Sequence, residues 1–154
     1  MFPPNFRGML SALSAERVEY LLVGGYAIGL HGFNRATADI DLWVRRTPEN
    51  AARVLRALLA FGAPLMGLTE ADLATPRTVF QIGVPPERID ILTSISGVEF
   101  DEAWPHRMTC VLDGMEISVI GRGALVKNKR ATGRAKDRID LDWLEQHPTG
   151  RDPA

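Results

Sequence analysis

The sequence predicts an α/β (α+β) protein: a mixed β-sheet flanked by helices, with a helical C-terminal segment. Three observations carry that reading. Apolar runs of strand length at 19–23, 39–44, 78–82 and 88–92 are bounded by glycine, proline or charge. Between them lie segments with helical periodicity, at 5–14 and 50–61. Asp113-Gly114 divides 107–112 from 115–120, a strong hairpin signal, and the chain then turns helical and basic. Strand, glycine break, helix, strand, long helix, further strands and closing helices make a layered α/β or α+β sandwich.

Each element has its own reason. Residues 5–14 place Phe6, Met9, Leu10 and Leu13 on one helical face. Glu19 to Val23 is a compact apolar run stopped by Gly24-Gly25, and Tyr26 to His31 reads as a short helix ending near Gly32. Asp39 to Val44 alternates, with Ile40, Leu42 and Val44 on one face and Asp39, Asp41 and Trp43 on the other. Thr47-Pro48-Glu49 starts a helix that carries Val54, Leu55, Leu58 and Leu59 through residue 61. VPPE separates two strands, 78–82 and 88–92, and residues 99–104 form a short helix. The segment DRIDLDWLEQH is read as helix, although Ile139, Leu141 and Trp143 also alternate as a strand would. One domain, 1–147, with a loose tail at 148–154, suits a chain of 154 residues.

The totals narrow the function classes. Net charge is −1, so attraction to nucleic acid or membrane has to be local. A single cysteine, Cys110, excludes an internal disulfide framework and suits a reducing cytosol. The run LLVGGYAIGL is too short and glycine-rich to span a bilayer, and MFPPNFRGML lacks a signal peptide's pattern. A soluble cytoplasmic protein is expected, with no membrane partner.

The chemistry concentrates in YLLVGGYAIGLHGFNRATADIDLWV. Charges rarely sit in an apolar strand without a partner, yet Asp39 and Asp41 share one strand face, about 6.5–7 Å apart. Asp90, in RIDIL, is likewise a charge flanked by isoleucines. Carboxylates that close repel unless a cation lies between them, and Mg²⁺ takes a few carboxylates plus water and phosphate oxygens. Three on neighbouring strands can hold a metal pair about 3.5–4 Å apart for an in-line phosphoryl displacement. Upstream, Gly24-Gly25 joins a strand to a helix, where free backbone N–H groups favour phosphate. A structural turn plus an exposed acidic strand is the competing reading of the same residues. The glycines at 24, 25, 29 and 32 do not fit G-x-G-x-x-G, and no G-K-[ST] follows them.

The glycine pair, thirteen intervening residues, Asp39-Ile40-Asp41 and the later Asp90 resemble the signature of the nucleotidyltransferase superfamily with the DNA polymerase-β-like palm. GGYAI…HG…RATADIDLWV, with KNKRATGRAKDRIDL near the end, resembles the small bacterial abortive-infection and toxin–antitoxin-type members. The likeness spans roughly residues 18–145. It implies a palm-type sheet and transfer of a nucleoside monophosphate from a nucleoside triphosphate to a hydroxyl, with loss of pyrophosphate. Gly24 and Gly25 would hold the triphosphate. Asp39 and Asp41 would ligate two Mg²⁺ ions, with Mn²⁺ as a substitute, and Asp90 would complete one ion's shell and help deprotonate the acceptor. Tyr26 departs from the serine that many members carry after the glycines.

Between Arg122 and Arg138, seven basic residues face one acid, Asp137, for a local formal charge of +6. Lys129 is the leading phosphate candidate there, with Lys136 behind it, because the resemblance places a lysine near the triphosphate. Arg134 and Arg35 suit bidentate phosphate contacts; a solvated helix face is the competing reading. Thr37 binds phosphate or caps the turn before the strand. Asp137 and Asp140 are expected to pair with neighbouring bases, while DLD (140–142) reads as a solvated helix face. His31 reads as structural, Trp43 as either core or base-packing, and Trp104 and Trp143 as core. The acceptor is left open among an RNA 3′ end, a protein and a small molecule. The small size favours a partner protein, such as a cognate antitoxin, a dimer, or a large acceptor. A palm-fold module that binds nucleotide or RNA without turnover is the alternative function.

Overall fold

The structure, a computed structural model, describes residues 2–34 and 36–148. The chain runs α1 (Pro4–Ala15), β1 (Tyr20–Val23), α2 (Gly24–Leu30), β2 (Ile40–Val44), α3 (Pro48–Phe61) and α4 (Glu70–Leu73). It continues through β3 (Val79–Ile82), β4 (Ile89–Leu92), α5 (Phe100–Ala103) and a 3₁₀ turn at Trp104–His106. Then come β5 (Met108–Leu112), β6 (Met115–Val119), α6 (Arg122–Thr132) and α7 (Ala135–Gln146).

Among the described residues six strands form one sheet, in the order β3-β4-β2-β1-β6-β5. β1 is antiparallel to β2 and parallel to β6, while β2 is parallel to β4. The two edges are antiparallel additions, β3 on β4 and β5 on β6. The sheet is therefore mixed, as the element order predicts. At the β5–β6 turn, Asp113 and Gly114 both take positive φ (52° and 76°), the backbone that a tight hairpin requires.

α1 and, for the most part, α3 pack as their periodicity dictates. α1 buries Phe6, Met9, Leu10 and Leu13, the predicted face. α3 is capped by the Thr47 hydroxyl, which accepts from the Asn50 backbone N–H (3.4 Å), and it ends at Gly62 with φ 92°. Ala51, Val54, Ala57 and Leu58 line its buried side, whereas Leu59 is exposed. Buried Asn50 also joins the start of β1 to the end of β2, accepting from Glu19 N–H (2.8 Å) and donating to the carbonyls of Glu19 (3.0 Å) and Arg45 (2.7 Å).

Several details go beyond or depart from the expectation. α2 begins at Gly24 rather than Tyr26, and β2 begins at Ile40, leaving Asp39 just ahead of the strand. α4 is an unanticipated turn of helix, held by a capping box between Thr69 and Asp72. β2 is covered on both faces: Trp43 fills a core layer edge-on to Phe100, with ring centroids 5.0 Å apart. No helix among the described residues is long and apolar enough to cross a membrane.

Candidate active site

Asp41 and Asp90 face each other in register across the parallel β2–β4 pair. At this end of the sheet a cavity of about 850 Å³ opens between the strands and the α6–α7 hairpin, and all three predicted aspartates line it. Asp90 is the deepest, 7% exposed. Burial, followed by the charge and hydrogen bonding of Asp90, pushes the Asp41 carboxyl up to about 6; Lys136 opposes the rise and Asp39 adds to it.

The glycine pair is required by the same side chains. Gly24 has φ 70°, and a Cβ there would collide with the Asp41 carboxylate. A Cβ on Gly25 would collide with the Thr37 hydroxyl. The backbone thus approaches the acidic strand closely, and Gly24, Gly25 and Thr37 all line the cavity. Tyr26, which follows, turns away to pack on Phe2 and Phe6, with centroids 5.1 and 5.7 Å apart. Its ring therefore serves the α1–α2 packing. His31 is buried and structural, as expected, its Nε2 donating to the Ile120 carbonyl (2.8 Å).

Opposite the sheet, the basic tract is largely consumed by ion pairs. Lys127 pairs with Glu102 (2.7 Å) and Arg130 with Glu145 (2.9 Å). Lys129 lines the cavity but is only 4% exposed, and its ammonium lies 3.0 Å from Asp137 and 2.9 Å from Asp140. Asp137 also accepts from Thr132 (2.7 Å) and Arg134 (2.6 Å). These donors and the Lys129 charge, outweighing the effect of burial, hold it well below the usual carboxylate range. Asp137 and Asp140 thus pair with bases as expected, but Asp140 is buried and not part of a solvated face. Arg134 and Lys136 are exposed at the cavity wall. Arg35 lies outside the described residues, as do 149–154 of the expected tail.

Sequence reasoning missed Arg88. Its guanidinium pairs with both oxygens of Asp90 (2.8 and 3.1 Å) and with Asp39 (3.3 Å), while its backbone N–H donates to Asp39 (3.1 Å). The available signal was R-x-D in RIDIL, which puts Arg88 and Asp90 on one strand face.

The donor set suits a divalent cation that keeps open positions. Asp41 is raised to about 6 first by burial and then by the facing Asp90, and a dication between the two carboxylates would relieve the second of these. Among the described residues no group of three or more acidic, histidine or cysteine side chains is placed to hold a metal ion, so the expected three-aspartate ligand set is not assembled here; Arg88 is drawn in against Asp39 and Asp90 instead. Asp41 and Asp90 remain as one registered carboxylate pair, and Mg²⁺ can be held by one or two carboxylates with water and phosphate oxygens completing its shell.

Solved structures share this architecture along nearly the whole chain. A Thermotoga maritima protein described as a nucleotidyltransferase aligns with TM-score 0.61 and 18% identity, covering 95% of this chain and 96% of that one. The lincosamide antibiotic adenylyltransferase LnuA, bound to lincomycin, aligns with TM-score 0.58 and 14% identity, over 94% and 97% of the two chains. The antibiotic-resistance factor ANT(2'')-Ia aligns with TM-score 0.64 and 14% identity, over 96% and 84%. A second ANT(2'')-Ia structure, with adenylyl-2''-tobramycin, gives TM-score 0.51 and 14% identity. The chain has the nucleotidyltransferase fold. No family model and no curated protein matches its sequence.

Proposed function

We propose that the protein is a Mg²⁺-dependent nucleotidyltransferase that moves a nucleoside monophosphate from a nucleoside triphosphate to a hydroxyl, Mn²⁺ being able to substitute. The observation that carries this is the registered Asp41–Asp90 pair, set against the glycine backbone and opposite Arg134 and Lys136, within the nucleotidyltransferase fold. Asp39, Asp41 and Asp90 are the residues that would hold metal. When bound, Mg²⁺ supplies charge neutralisation at the phosphates. Arg134 and Lys136 orient the triphosphate from the helical wall, and Gly24 and Gly25 give it room against the strand end. The acceptor oxygen forms a bond to the α-phosphorus as the bond to the bridging oxygen breaks. Pyrophosphate leaves with that electron pair, and the hydroxyl proton passes to Asp90. Lys129 acts from behind, holding Asp137 and Asp140 and so fixing the α6–α7 wall.

For the acceptor, a small molecule is favoured by the neighbours of the same fold, one bound to lincomycin and one to adenylyl-2''-tobramycin. An RNA 3′ end or a protein hydroxyl, with a toxin role beside a cognate antitoxin, rests on the sequence resemblance alone. One assay addresses all three. Each α-labelled nucleoside triphosphate is incubated with Mg²⁺ and, in turn, cellular RNA, protein and small-molecule extract, beside Asp39→Ala/Asp41→Ala. Label in one acceptor class, lost in the variant, is the expected result. Nucleotide binding without label in any fraction would replace this reading with that of a binding module.

A further inference from the structure

Arg88 engages four carboxylate oxygens of the site. Nε donates to Asp90 Oδ1 (2.8 Å), Nη2 to Asp90 Oδ2 (3.1 Å) and the backbone N–H to Asp39 Oδ1 (3.1 Å); Nη2 also pairs with Asp39 Oδ2 (3.3 Å). The fork matches carboxylate geometry in a way that a lysine could not. Asp90 is nearly buried, so water has little access to replace the arginine there. Arg88 is also among the residues that line the cavity.

We propose that Arg88 is the site's resident counter-ion and competes with the divalent cation, so that metal enters together with the triphosphate rather than ahead of it. This rests on the nucleotidyltransferase reading given above. A cation arriving alone must strip Arg88 from Asp39 and Asp90, leaving a guanidinium with no anion in a partly buried position. A cation arriving with a triphosphate brings the replacement anion, because phosphate accepts the same bidentate fork. The ion pairs broken at the strands are then offset by ion pairs made to the nucleotide. Arg88 thereby discriminates metal–nucleotide from free metal, a task that the three aspartates cannot perform by themselves.

The test is a Mn²⁺ titration without nucleotide, following free Mn²⁺ by electron paramagnetic resonance. Wild type, Arg88→Met, Arg88→Lys and Asp41→Asn are compared, each first shown to be folded by circular dichroism; Arg88→Gln takes the place of Arg88→Met should the latter unfold. Loss of charge-assisted contacts predicts Mn²⁺ binding tighter by about tenfold or more in Arg88→Met, with Arg88→Lys between it and wild type. Equal affinity in wild type and Arg88→Met, with loss in Asp41→Asn, would overturn the competition while leaving the metal site standing. Mn²⁺ binding in none of the proteins, or binding indifferent to Asp41→Asn, would remove the metal-site reading and this inference with it.

Discussion

Asp41 carries the sharpest consequence at the scale of single residues. In the folded protein its carboxyl titrates at about 6, against an ordinary value of 3.8, chiefly because it is buried and faces Asp90. Between those values the folded state keeps a proton that the unfolded chain has lost. Stability therefore falls as pH rises through this window, by at most about 3 kcal/mol from this group. Asn carries no charge at any of these pH values. Asp41→Asn should accordingly flatten the fall in Tm from pH 4 to 7, measured without divalent cations, and melt above wild type at pH 7. Comparing the two proteins isolates this group from Asp137, whose depressed titration adds stability that is lost only on acidification. Identical slopes in both would mean that Asp41 and Asp90 do not confront each other. The glycine pair belongs to this scale too: Gly24 is glycine because the Asp41 carboxylate lies where a Cβ would go.

Between elements, a buried charge cluster joins α6 to α7. Lys129 lies between Asp137 and Asp140, both fully buried. Removing one partner of such a cluster leaves an uncompensated charge, so Lys129→Met should cost about 3–5 kcal/mol in urea unfolding. Lys129→Met/Asp140→Leu should recover part of that loss, because the stranded carboxylate is gone. A cost below about 1 kcal/mol for the single change is the value of an exposed pair and would contradict this role. The same cluster explains where the sequence was hard to read. Asp137, Asp140 and Leu144 make up the buried side of α7, so two of its three anchors are acids and apolar periodicity is silent about them. Ile139, which supported a strand reading, is exposed. Lys129 does line the cavity, but its pairing with acids eight and eleven residues onward cannot be seen in the sequence, where a paired lysine reads like a free one. By contrast, β1, β2, β4 and the Asp113-Gly114 hairpin were legible, since apolar runs cut by turn residues have few other solutions. The carboxylates stood out as charges within those runs. Arg88 did not, because an arginine just ahead of a strand is ordinary until its side chain is seen to reach Asp90 and Asp39. α4 is too short to have a period.

For the whole molecule, the cavity has two walls of unlike character. The sheet side supplies the three acids together with Arg88, while α6 and the start of α7 supply Lys129, Arg134 and Lys136. The helices' hold on the sheet side includes His31, which bonds the Ile120 carbonyl just before α6, and Asn128, which bonds the Ser96 carbonyl after β4 (3.0 Å). A ligand that spans the cavity should therefore protect both walls together. Saturating Mg²⁺ and a nucleoside triphosphate, at about 100 times Kd, would stabilise the fold by about 2.7 kcal/mol. For a chain of this size that corresponds to a rise in Tm of roughly 5–10 °C. Hydrogen exchange should slow in the amides of β2 and β4 and in α7 at the same nucleotide concentration. In Lys136→Gln the concentration needed should rise for both regions alike, since losing a cavity cation weakens one shared ligand. Protection confined to the sheet, with α7 exchanging as in the free protein, would place the triphosphate away from the helical wall and take Arg134 and Lys136 out of the site.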